Sequence, residues 1–370
     1  MKNITIIISN INKSLAFEWI AEKLNKESFN LSFILLNPGH SELEEYLKKQ
    51  KITCITIPFK NKRQIPSCVI KVAKHLKKLK SEIVHTHLFE ANIIGLTAAK
   101  LIGIKKRIYT RHHSTYHHTF HKKAVKYDNY INKKSTHIVA ISEVVKNVLL
   151  KRENVPLEKI TLIHHGFPLE QLTNPNNEII DALKLKYNPS NKFPVIGVIS
   201  RYTEWKGIQF IIPAFKKILT KYPNALLILA NAGGDYQTTI HSQLNTLPAG
   251  SYQEIKFENH IFELYALFNV FVHTPIDSDI EAFGQIYIEA LAAKIPSVFT
   301  ISGIASEVIE NNYNALVVDY NNSVPIEDSI LKLIENKQLC ETLTNNGLES
   351  IKKNFALETM ITKLEELYEK

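Results

Sequence analysis

This sequence predicts two doubly wound α/β domains, and three observations carry the prediction. Short apolar runs alternate with amphipathic stretches along the whole chain, the alternation pauses once near the middle, and 370 residues suit two domains of ordinary size. Runs at 4–8, 31–35, 52–57, 83–85, 107–110, 137–140 and 160–163 read as buried strands, with helical stretches between them at 65–79 and 91–101 among others. The pause falls between Pro168 and Pro194, where Thr173-Asn174-Pro175-Asn176-Asn177 is polar and turn-rich, as linkers are. Runs resume at 195–199, 225–230, 254–257, 270–273, 297–300 and 315–318. Strand–helix alternation implies parallel sheets covered on both faces, with ligands beyond the carboxyl ends of the strands. The predicted domains are 1–170 and 171–354, separated by a central cleft.

Composition is that of a globular protein, with 45% hydrophobic and 22% charged residues. The apolar run at 4–8 is too short for a signal-peptide core and reads as the first strand. Cys54, Cys68 and Cys340 form no CxxC pair, which predicts free thiols in a reducing cytoplasm. The formal charge of +9 is uneven, with +16 over residues 1–190 and −7 over the remainder. A basic front half is either a solvated lysine-rich surface or a face for anionic lipid, phosphorylated acceptor or nucleic acid.

The most informative segment is 275–300. After the run at 270–273 come Glu281-Ala282-Phe283-Gly284 and then Gln285-Ile286-Tyr287-Ile288-Glu289, the latter helical in pattern. Gly284 allows close approach of a ligand to the helix start, where free N–H groups suit a phosphate. Glu281 precedes the helix and Glu289 sits in its second turn, so two carboxylates can hold two ends of one ligand. Taken singly, each is more simply a solvated glutamate or one facing a helix dipole. A second segment, Ser200-Arg201-Tyr202-Thr203-Glu204-Trp205-Lys206-Gly207, leaves a strand and presents two cations five residues apart. Fixed cations stabilise the charge that a departing diphosphate develops. Two exposed loop cations are the plain alternative.

These segments, in this order and followed by Ser302-Gly303-Ile304-Ala305-Ser306-Glu307, resemble the retaining glycosyltransferases of family 4, which have the GT-B fold of two Rossmann-like domains facing a cleft. Glu281 and Glu289 match that family's E-x7-E pattern, within an Ala-Leu-Ala-Ala-Lys-Ile-Pro context that adds specificity. Residues 136–143 and 162–166 extend the likeness, and 355–370 looks like the helix that returns to the N-terminal domain. The resemblance implies that Arg201 and Lys206 hold a donor diphosphate. Glu281 would bind donor-sugar hydroxyls, the backbone of Phe283, Gly284 and Gln285 would meet sugar and phosphate, and Glu289 would bind the ribose. The base would lie near 259–264, against Ile261 and Leu264. His112 would reach the donor sugar as a catalytic residue with Arg201, Lys206 and Glu281, its neighbour His113 being the alternative. Asn10, Asn12, His87 and His113 are the acceptor-side candidates. The chain departs from the family in its first loop, Ser9-Asn10-Ile11-Asn12-Lys13-Ser14, which lacks a Gly-Gly pair, and at the crossover, which reads His165-Gly166 instead of Asn-Gly.

Asp277-Ser278-Asp279 has the form of a D-x-D metal site, but it sits in the loop before Glu281. The group His112, His113, His117, His118 and His121 has no cysteine and fits no closed zinc spacing. It reads as a segment facing the acceptor, with Lys122, Lys123 and Lys126 nearby. Neither a metal nor a cofactor is therefore expected. The expected activity is retaining transfer of a hexose or N-acetylhexosamine from a nucleotide sugar, a UDP-sugar by preference. The expected acceptor is a glycan or lipid-linked chain of the cell envelope, met in the cytoplasm at the inner face of an anionic membrane. The rival readings are a nucleotide-sugar epimerase or inverting transferase of the same fold, a silent sugar-nucleotide binder, and a nucleic-acid binder. The last lacks a recognisable module.

Overall fold

The computed structural model describes residues 1–370. The first sheet has seven parallel strands, β1 (Lys2–Ser9), β2 (Phe29–Asn37), β3 (Thr53–Pro58), β4 (Ile83–His87), β5 (Lys106–Arg111), β6 (His137–Ala140) and β7 (Ile160–Leu162), in the order β3-β2-β1-β4-β5-β6-β7. The second has six, β8 (Val195–Ile199), β9 (Leu226–Ala230), β10 (Tyr252–Ile255), β11 (Val270–His273), β12 (Ser297–Phe299) and β13 (Leu316–Val317), in the order β10-β9-β8-β11-β12-β13. Both sheets are doubly wound. The strand order reverses between β1 and β4 in one and between β8 and β11 in the other, and such switch points are where these sheets open to ligands.

Each strand forms where an apolar run lies, because a parallel sheet covered on both faces buries consecutive side chains. Every residue of β9, Leu-Leu-Ile-Leu-Ala, is buried. The run expected at 254–257 forms two residues earlier, as Tyr252–Ile255, which pairs with β9 and leaves Phe257 67% exposed. Cys54, Cys68 and Cys340 are free.

The chain divides into two units, Met1–Phe167 with Leu357–Lys370, and Pro168–Ala356. The stretch read as a linker is more structured than its polarity suggests. The helix Asn177–Tyr187 starts where the side chain of Asn176 accepts the Glu178 N–H, and it buries Ile180, Leu183 and Tyr187 along one face. In the first unit, the helix Leu357–Glu369 lies against the sheet. Its Leu357, Met360, Ile361, Leu364, Leu367 and Tyr368 join one core cluster with Ile4, Ile6, Phe33 and Ile108. Lys2 Nζ donates to the carbonyls of Tyr368 and Glu369 at 3.1 and 2.7 Å, placing a cation at the negative end of that helix.

Leu364→Ala empties part of that core. It is expected to destabilise the first unit by about 2–5 kcal/mol. The measurement is amide exchange, with protection lost in residues 1–167 and 357–370 and retained in 168–356.

Candidate functional site

The loops leaving β8 and β11 meet at the second sheet's switch point, where Phe271 lies beside Gly197 in register. The β8 loop ends in a short 3-10 turn, Glu204–Lys206, closed by Gly207 at φ +74. A side chain at 207 would place its Cβ 1.8 Å from the Thr274 carbonyl oxygen, so the two loops touch here only because this residue is glycine. The Trp205 carbonyl accepts the Ile276 N–H at 3.1 Å and ties them again.

This packing delivers Lys206 to Glu281. Lys206 Nζ donates to Glu281 Oε1 at 2.5 Å and lies 4.5 Å from the centre of the Trp205 ring. His273, the last residue of β11, donates from Nε2 to the same carboxylate oxygen at 3.2 Å. Glu281 and His273 are both buried. Burial alone would raise the Glu281 carboxyl; Lys206 and the His273 hydrogen bond overcome it and hold the group at about 2. Burial and the nearby Lys206 charge lower His273 to about 4, against the opposing pull of Glu281. Both donors land on Oε1, which leaves Oε2 to accept from a ligand. Arg201, on the same loop, is exposed and makes no ion pair.

The loop before the helix Gln285–Ala292 is held from beneath by residues 302–304. Ser302 Oγ accepts the Glu281 N–H at 3.3 Å, Ile304 N–H donates to the Phe283 carbonyl at 2.8 Å, and Gly303 N–H donates to the Ser278 carbonyl at 3.2 Å. Gly303, at φ +57, brings its backbone so near that a Cβ would lie 2.7 Å from the Phe283 oxygen. Asp277 Oδ1 accepts the Asp279 N–H at 2.7 Å, so this aspartate closes a local turn. Gly284 caps the helix at φ +81. In the second turn, buried Glu289 accepts from Tyr265 OH at 2.9 Å and from Gln285 Nε2 at 3.0 Å. Burial raises its carboxyl to about 7 in spite of both bonds. Of the two residues expected beside the base, the Leu264 side chain is fully buried and Ile261 is half-buried.

The second unit thus brings together Lys206, Glu281, Gly284, Gln285 and Glu289. His273 and Tyr265 were missed, because a histidine ending a buried strand and a tyrosine in a short helix carry no spacing signal. In the first unit, His112 Nε2 lies 3.0 Å from Nδ1 of buried His87, and its ring stacks on His165 at 5.7 Å. Burial and the neighbouring histidines hold His112 well below the ordinary imidazole value, and so neutral. Asn10 is exposed beyond β1. Asn12 is engaged at both ends of its amide: Nδ2 donates to Glu42 Oε1 at 2.9 Å, and Oδ1 accepts the Glu42 N–H at 3.3 Å. An acceptor reaching Asn12 would therefore have to displace Glu42. His113 lies 3.1 Å from Asp128.

Residues 180–350 match the family described as Glycosyl transferases group 1, and residues 20–171 match Glycosyltransferase Family 4. The capsular polysaccharide biosynthesis glycosyltransferase CapM of Staphylococcus aureus is 28% identical over 239 residues. That alignment covers 63% of this chain and 61% of CapM, less than two thirds of the relative's length. The alpha-monoglucosyldiacylglycerol synthase of Acholeplasma laidlawii is 24% identical over 322 residues, 81% of this chain and 78% of its own. Among solved structures, a glycosyltransferase from Rickettsia africae has a TM-score of 0.82 at 24% identity, covering 100% of this chain and 98% of its own. Anabaena HepE in complex with UDP-glucose has a TM-score of 0.84 at 20% identity, covering 99% of each chain. At such identities these two share the fold.

The two glutamates make opposite contributions to stability as pH changes. Folded Glu289 keeps its proton up to about 7 while the unfolded group loses it near 4.5, so its contribution is full below 4.5 and lost as pH rises through 7. Folded Glu281 is ionised down to about 2, so its contribution is present above 4.5 and lost as pH falls toward 2. Relative to wild type, Glu289→Gln is expected to be more favourable at pH 8 than at pH 5. Glu281→Gln should cost more at pH 8 than at pH 3. Urea denaturation at these pH values measures both.

Proposed function

We propose that this chain, which belongs to glycosyltransferase family 4, moves a hexose or N-acetylhexosamine from a UDP-sugar to a glycan or lipid-linked acceptor, with retention at the anomeric carbon. One observation carries the reading: a lysine paired with a buried carboxylate, on a loop that also carries an exposed arginine, at the switch point of the second sheet. Arg201 and Lys206 hold the diphosphate, and Lys206 has further N–H donors to turn from Glu281 to a phosphate oxygen. Glu281 accepts a sugar hydroxyl on Oε2. Glu289 accepts the ribose hydroxyls, and the N–H groups at the start of the helix Gln285–Ala292 face the phosphate. The base lies near Ile261 and Leu264. His112 completes the catalytic set, and Asn10, Asn12, His87 and His113 form the acceptor side. The UDP-glucose complex of HepE supports the choice of donor.

The carbon–oxygen bond to the diphosphate loosens first, giving an oxocarbenium-like sugar. The acceptor oxygen then bonds to the anomeric carbon from the face the diphosphate leaves, and its proton passes to the departing diphosphate oxygen. Glu281 is held by Lys206 and His273, and Glu289 by Tyr265 and Gln285. Both are thereby assigned to binding, and neither to the nucleophile role a retaining glycosidase gives a carboxylate. The fixed cations take up the developing charge.

CapM and the Acholeplasma synthase, by their names a capsular-polysaccharide enzyme and a glycolipid synthase, support an envelope acceptor. The basic first half suits a peripheral contact with an anionic membrane, and no nucleic-acid partner is invoked. No helix is long and apolar enough to cross a membrane.

A panel of UDP- and GDP-sugars tested by thermal shift should show stabilisation by one or more UDP-sugars, and the product's anomeric configuration by NMR should match the donor's. Arg201→Ala touches no buried partner and should lower turnover by about 10²–10³ with the fold intact. Lys206→Ala should lower turnover as far and also cost stability, because it leaves a buried carboxylate without its cation. Near wild-type transfer by both variants would remove the cation clamp. Donor affinity should tighten as pH rises from 6 to 8, since ionised Glu289 is the better acceptor, and Glu289→Gln should flatten that slope.

A further inference from the structure

The first unit gathers a second set of chemically capable side chains, distinct from the lysine–glutamate cluster of the second unit. Asp128 is the sole acidic residue between Glu90 and Glu143, in a stretch otherwise rich in lysine and arginine. It is fully buried on the helix Val125–Lys134. Two imidazoles converge on it: His113 Nε2, from the loop after β5, lies 3.1 Å from Oδ1, and His117 Nδ1, from the helix Tyr116–Phe120, lies 2.7 Å from Oδ2. All the ligating atoms lie within 4.8 Å of one another. We infer that His113, His117 and Asp128 form a binding site for a divalent transition-metal ion of the zinc type.

Three features of the surroundings support the assignment. Two nitrogens and one carboxylate oxygen are donors that such ions accept, at about 2.0–2.2 Å, and modest side-chain shifts bring them to that distance. The charge also fits. Buried Arg111 is shared between Asp128, at 3.3 Å, and Glu153, at 2.6 Å, so two carboxylates face one guanidinium and the cluster carries one surplus negative charge. Finally, the site is supported from behind and open in front. Glu153 follows a π turn, Val148–Arg152, and accepts from Asn132 Nδ2 at 2.7 Å while lying 3.1 Å from His118 Nε2, which fixes Arg111 and through it Asp128. The side chains of His113 and His117 keep 22% and 12% exposure while Asp128 has none, so a further coordination position faces solvent. Sequence spacing alone did not reveal the site, because the third ligand lies eleven residues beyond His117 on another helix.

The test uses the full chain, freed of metal by chelation and titrated with Co2+ and then Zn2+. The expected result is a visible Co2+ spectrum that saturates at one equivalent, is displaced by Zn2+, and is accompanied by a rise in melting temperature with Zn2+. His113→Ala and His117→Ala should each weaken binding at least tenfold. His121→Ala, which removes an exposed neighbour, should bind as wild type does. His113 and His117 are partly exposed, so circular dichroism of the two variants should match wild type. The absence of saturation at one equivalent in the wild-type chain would overturn the inference, as would unchanged affinity in both variants. Neither readout depends on donor or acceptor.

Discussion

A carboxylate buried with its cation organises the second unit. Glu281 could not stay ionised in that position without Lys206 and His273, and Lys206 reaches it only because Gly207 lets the β8 loop lie on Thr274. The backbone of the same glutamate is held by Ser302, and Gly303 passes close to its Cβ, so three loops from distant parts of the chain fix one side chain. Several kcal/mol of desolvation stand against such an arrangement. It persists because each partner satisfies another: the lysine neutralises, the histidine hydrogen-bonds, and the glycines remove the steric obstacle.

The two glutamates eight positions apart illustrate how environment divides labour between identical side chains. Both are buried, yet one sits beside a cation and the other beside neutral donors only. The first is therefore ionised at any ordinary pH and acts as a permanent anion. The second is balanced near neutrality, and a ligand that donates hydrogen bonds tips it toward ionisation. Environments that push equal groups apart are a common mark of a working site.

Much of this was legible in the sequence. Continuous apolar runs such as the one in β9 are the direct signature of a sheet buried on both faces, whereas β10, Tyr-Gln-Glu-Ile, carries no such run and its strand lies two residues before the expected one. The cations at 201 and 206 and the carboxylates at 281 and 289 were visible through their spacing and the glycines beside them. Other elements left no local trace. His273 looks like the end of any strand, and Tyr265 lies in a five-residue helix. Asp128 finds its histidines through tertiary packing, which no window of sequence contains. Asn177–Tyr187 was hidden by the polar residues around its own cap.

The helix Leu357–Glu369 belongs to the core of a unit whose other residues precede it by the entire second unit. During synthesis, the seven strands of the first sheet leave the ribosome long before the segment that covers one of their apolar faces. Until that segment arrives, Phe33, Ile6 and Ile4 lack part of their packing, and the half-covered sheet is open to wrong associations. Completion of the nascent first unit is thus coupled to translation of the second, and conditions that stall the ribosome between the two should leave a product that needs chaperone protection.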